Sequence, residues 1–274
     1  MTSGQPVGTA PESDTATGVV VGVDDSNSAR AAVAWAAAAA ERRGLGLHLV
    51  EVLPGPETGD GTPHGRARAL LYRAQGIARA IGPDLEISMR TLTGRVGPAL
   101  VTYSAGATLL VVGSNGPGGP IPLSLGSILG EVTTHCACPV ILVPARAEPH
   151  LRDDDAPVVV ALDDGADGQS ALAFAADTAH HRGAALWVLA GADAPGGGDS
   201  AGQTAAPLAQ LQQNHPGLDV HTETVTGRLE DALLNADARA QLIVVARKRG
   251  MGGASGWSRH FLPVLSACPV AVVS

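Results

Sequence analysis

Aromatic residues make up only 3% of this chain, so its cores have to be built from Ala, Val and Leu. That composition suits parallel strands covered by alanine-rich helices. Cysteine is scarce too: three residues, an odd number in a chain of 274, do not suggest a disulfide framework. No stretch offers the roughly 18 apolar residues, free of charge and glycine, that a membrane span needs. The Ala31–Ala40 run is too short and sits in an amphipathic helix pattern. Basic stripes are missing, and a net charge of −8 argues against nucleic acid as a partner. The acidity reads as ordinary solubility. Residues 1–17 lack the basic start and apolar run of a signal peptide and read as a disordered tail. Together these absences point to a cytoplasmic protein with no membrane partner.

What is present is a unit written twice. In the first, Gly18–Val23 reads as a strand, and Ser26 or Asn27 caps a helix that runs to Arg43. Leu45–Leu53, Asp84–Arg90, Thr108–Val112 and Pro139–Val143 read as further strands, with helices over Arg66–Ile81, Val96–Ser104 and Ser127–His135. Such alternation predicts a parallel sheet flanked by helices. Val158–Asp164 repeats Val19–Asp25, Ala171–Arg182 repeats the first long helix, and Ala185–Leu189 the second strand. Leu242–Val245 repeats Leu109–Val112, and Cys268-Pro269-Val270 repeats Cys138-Pro139-Val140. The expected organisation is a tail over 1–17, one domain over 18–145, a linker over 146–156 and a second domain over 157–274. The repeat predicts an internal pseudo-dimer; a monomer and a homodimer of such chains are both open.

Chemistry concentrates in one loop. The apolar run Leu109–Val112 ends in Gly113, Ser114, Asn115 and Gly116, and Gly126-Ser127 stand where a helix starts. Ligands of parallel sheets lie beyond the carboxyl ends of the strands. Glycines let a backbone approach an anion closely, and a helix start adds free N–H groups and a positive dipole end. This is the layout of a phosphate site. The spacing differs from a P-loop, and the loop has no lysine. Cys136-x-Cys138 has no second Cys/His pair at ligand spacing, so no metal site is expected. Cys138 and Cys268 read as small buried packing.

Val111-Val112-Gly113-Ser114, then Leu125-Gly126-Ser127, then His135-Cys136-Ala137-Cys138-Pro139-Val140, resembles the universal stress protein family. Val19–Ser26 is similar to that family's first strand and turn. The resemblance covers nearly the whole chain, as two copies, and implies tandem Rossmann-like, adenine-nucleotide-alpha-hydrolase-like domains. Each would hold a five-stranded, mainly parallel sheet. It also implies that the first copy binds ATP or another adenine nucleotide, with Mg²⁺ arriving on the phosphates. Asp24 would contact the adenosine part, Val52 would line the adenine, and Gly113, Ser114, Gly116, Gly126 and Ser127 would wrap ribose and phosphates. On residues alone, Asp24 reads equally as a turn residue and Val52 as core.

The sequence departs from the family at several points. Asn115 replaces a usual basic residue, and Pro117, Pro120 and Pro122 each remove a backbone donor. In the second copy Ala246-Arg247-Lys248-Arg249 replaces Gly113–Gly116, and Trp257 stands at the place of Ser127. The three basic residues would either hold an anion as point charges or form a solvated loop. No general base with a matched acid is evident, so the expected role is a non-enzymatic, nucleotide-dependent stress-response regulator. Two alternatives stand beside it: a slow ATP hydrolase using Asp24 or Asp25, and an interaction module that binds no nucleotide.

Overall fold

The structure is a computed structural model, and it describes residues 15–53, 55, 62–114, 128–145, 155–162, 166–191, 200–227, 229–237, 239–247 and 268–274. The first half runs β1 (Val19–Gly22), α1 (Asn27–Arg43), β2 (Leu47–Leu53), α2 (Thr62–Ile81), β3 (Ile87–Thr93), α3 (Val96–Tyr103), β4 (Leu109–Gly113), α4 (Ile128–His135) and β5 (Val140–Val143). The second runs β6 (Val158–Leu162), α5 (Ala166–Arg182), β7 (Leu186–Gly191), α6 (Ser200–Asn214), β8 (Val220–Val225), α7 (Leu229–Asp237), β9 (Leu242–Ala246) and β10 (Val270–Val273). Each half contributes five strands, and they join into one ten-stranded sheet ordered β3-β2-β1-β4-β5-β10-β9-β6-β7-β8. Every described pairing is parallel except the joint, where β5 meets β10 antiparallel with Ile141 opposite Ala271.

Local chemistry accounts for the longest element of the first half. Ser26 caps α1 by accepting the Ala29 N–H at 3.0 Å. Gly44 ends the helix at φ 62°, a left-handed conformation that glycine adopts without strain. Between them, Ala32, Ala36, Ala37, Ala39 and Ala40 are all buried. Small side chains bring this helix close to the sheet over β1 and β4. One face of the sheet packs against α1, α2, α5 and α6, the other against α3, α4 and α7. The core is aliphatic on both faces, as the low aromatic content requires.

The halves also meet across the pseudo-symmetry axis between their long helices. Arg43 ends α1 and reaches α5, donating to Asp177 and Thr178 at 3.0 Å each. Arg182 ends α5, stacks over the Trp35 ring of α1 at 5.0 Å and donates to Gln241. The same position in each repeat thus crosses the joint.

Element positions differ from the sequence reading at β3, which starts at Ile87 instead of Asp84. Leu85 N–H bonds back to Gly82, and the Glu86 carbonyl accepts from Leu47, so Asp84–Glu86 turn into the strand before its ladder begins. Helix α6 and strand β8 gave no clear sequence signal: α6 contains Pro207, and β8 is polar and exposed over its central residues. Among the described residues, no helix is long and apolar enough to cross a membrane.

Candidate functional site

Strand β1 lies between β2 and β4. Helix α1 leads from β1 to β2 across one face, while α3 brings the chain from β3 to β4 across the other. Chain direction therefore diverges between β1 and β4, which makes their carboxyl ends the switch point where open sheets of this kind take ligands. The cavity that Asp24 lines lies on the α1–α2 side, with Val33, Arg73 and Ile77. Asp24 follows β1, and Gly113-Ser114 close β4. Helix α4 returns from the carboxyl end of β4 toward β5, so its first turn faces the same edge.

Asp24 is exposed, and its Oδ1 accepts the Ser26 N–H at 2.8 Å. This is the turn role that the residue type allows, and it fixes the carboxylate just past the carboxyl end of β1. Asp25 turns away toward α2, where Arg73 lies at 3.1 Å and Arg66 at 3.9 Å. Among the described residues, no group of three or more acidic, Cys or His side chains is arranged to hold a metal ion. Val52 is half-buried on the face covered by α3 and α4. Gly22 pairs with Val50, and β2 runs on to Leu53, so Val52 lies beyond the end of β1.

Two residues of the predicted loop have structural duties that the sequence did not show. Gly113 lies against the first turn of α1: a Cβ there would fall 2.6 Å from Ser28 Oγ and 2.8 Å from Ala29 N. Its φ is not left-handed, so close helix packing, and not turn geometry, demands the glycine. The Ser114 N–H donates to the Val143 carbonyl at 2.8 Å, extending the β4–β5 ladder. This N–H is thus already bonded within the sheet. Gly116, Gly126 and Ser127, together with Asn115 and the loop prolines, lie outside the described residues.

The sequence left two roles open for the basic run of the second half. In the structure, Arg247 Nη1 donates to the carbonyls of Thr133 at 3.3 Å, Thr134 at 3.0 Å and Cys136 at 2.9 Å. Lys248, Arg249 and Trp257 lie outside the described residues. His135 has a related end-of-helix role, its Nδ1 bonding the Glu131 carbonyl at 3.0 Å.

Sequence reasoning missed Glu51. It sits on β2 between Val50 and Val52, is only 9% exposed, and its Oε2 has no hydrogen-bond partner among the described residues. Burial raises its pKa; Arg66 opposes the shift and Asp24 adds to it. A glutamate interrupting the apolar part of a strand was the available signal.

A profile of the universal stress protein family matches residues 17–144. Universal stress protein Rv2623 of Mycobacterium tuberculosis is 32% identical over 266 residues, spanning 87% of this chain and 89% of that protein. The chain belongs to the universal stress protein family. A universal stress protein crystal structure from Archaeoglobus fulgidus covers 93% of this chain and 97% of its own at a TM-score of 0.70 and 17% identity, which shows a shared fold over both halves. A universal stress protein solved in complex with cAMP covers 47% of this chain at 29% identity and a TM-score of 0.40.

Proposed function

We propose that the first half binds an adenine nucleotide, ATP by preference, and that the protein acts in the cytoplasm as a stress-response regulator and not as an enzyme. The observation that carries this reading is the topology: β1 and β4 are neighbours flanked by helices on opposite faces, so Asp24 after β1 and Gly113-Ser114 at the end of β4 stand at the switch point where such sheets take ligands. Asp24 accepts bonds from ribose hydroxyls or the adenine amino group, and Val52 supplies an apolar wall. Gly116, Gly126 and Ser127 complete the phosphate end in this reading, with Mg²⁺ held through the phosphates and water. Residues 18–145 are the nucleotide domain, 146–156 the linker, and 157–274 a partner domain whose loop no longer suits a ligand.

Denaturing the purified protein and identifying what it releases by chromatography and mass spectrometry tests the reading. The expected result is about one adenine nucleotide per chain, lost in Gly126→Val and reduced in Asp24→Ala. If nothing is released, calorimetric titration with ATP and AMP decides. Silence there as well overturns the reading.

One observation favours the interaction-module alternative. Gly113 and the Ser114 N–H, two features that suggested a ligand, have structural duties of their own. That alternative predicts partner binding indifferent to ATP.

A further inference from the structure

Arg247 occupies the first position after β9, as Ser114 does after β4, and their backbone N–H groups bond equivalently to Val273 and Val143. Their side chains differ in reach. Arg247 crosses from the second half into the first and gathers three carbonyls at the end of α4, from Thr133, Thr134 and Cys136. Those carbonyls carry the negative end of the helix dipole and have no partner within the helix. A guanidinium suits them, because it supplies several charged donors in a rigid fork.

The helix so held is short. It spans Ile128–His135, and its opposite end lies at the carboxyl edge of the sheet, directly after Gly126-Ser127 in sequence. Leu129 and Val132 anchor one side of it in the core. With only about two turns, a constraint on one end of α4 sets the position of the other.

We propose that Arg247 is a positioning residue for the nucleotide site: the second half's altered loop start holds α4 where its first turn meets the ligand. This rests on the nucleotide reading given above. Ligand binding in the first half and docking of Arg247 then strengthen each other, as linkage requires.

The test uses the full chain with Arg247→Met, which keeps the stem and removes charge and donors, and Arg247→Lys, which keeps charge and some donors. Amide exchange over residues 128–135 is measured without nucleotide, and ATP affinity by calorimetry. Arg247→Met should exchange roughly tenfold faster across α4, with the sheet unchanged, and bind ATP roughly three- to tenfold more weakly. Arg247→Lys should fall between it and the native protein. Unchanged exchange across α4 overturns the clamp, whatever ATP does. Faster exchange with unchanged affinity in the fully folded protein leaves a structural contact only and overturns the positioning role. If the native protein binds neither ATP nor AMP, the nucleotide reading fails and the positioning role with it, while the exchange arm still reports whether Arg247 holds α4. Should Arg247→Met not fold, Arg247→Lys carries both measurements.

Discussion

Gly113 and Ser28 touch backbone to side chain: the Cβ that glycine lacks would sit 2.6 Å from Ser28 Oγ and 2.7 Å from Ser28 C. Backbone atoms of a capped helix cannot move aside cheaply. Gly113→Ala is therefore expected to lose about 1–3 kcal/mol by overpacking, read as a lower midpoint in urea unfolding. Gly22→Ala is the control. Its Cβ would meet Leu100 and Val112 at 3.5 Å, an ordinary contact, so the loss should be much smaller. Equal losses at the two positions would show that packing against α1 is not what Gly113 serves.

Glu51 predicts a pH dependence of stability. Its pKa is raised in the folded protein, mainly by burial. A raised folded pKa means stability is fully present below the unfolded value, near 4.5, and is lost as pH rises through the folded value. Glu51→Gln cannot ionise. Urea unfolding of both proteins from pH 4 to 8 should show the variant gaining on the native protein as pH rises, by about 1 kcal/mol at most, since Arg66 offsets part of the cost. A difference that shrinks as pH rises would contradict this.

The three cysteines are buried and free. Burial is the main cause that pushes Cys138 up to about 11, and burial also raises Cys136. A thiolate is the reactive form, so at pH 8 the native protein should resist Ellman's reagent, and all three thiols should react once guanidinium unfolds it. The raised Cys138 value means that its protonated state supports folding up to about pH 9, with that support declining toward about 11. Rapid labelling of the native protein would show an open packing around α4 and β5.

Much of the fold was legible because its signals are local. Val19–Gly22 and Leu109–Gly113 are short apolar runs bounded by glycine, and Ser26 stands at the distance where a hydroxyl caps a helix. The repeat also let β5 and β10 be recognised as equivalent strands. At the candidate site, the places of Asp24 after β1 and of Val52 near the end of β2 were legible, because both follow from strand ends. What sequence could not supply was who touches whom across long separations. Nothing local says that Gly113 is glycine because Ser28 is there, or that Arg247 finds carbonyls 111 to 114 positions earlier in the chain. Glu51 was hidden because a strand residue's burial depends on the helix laid over it.

The antiparallel seam between β5 and β10 is closed within one polypeptide. Two separate single-repeat chains would need to find each other, and dilution would part them. Here the tether supplies a fixed effective concentration, so the seam survives at any abundance. A substitution in one repeat also enters each seam once instead of twice. Arg247 and Ser114 occupy equivalent positions, yet each has its own task on its own side. Covalent linkage is what permits that division of labour.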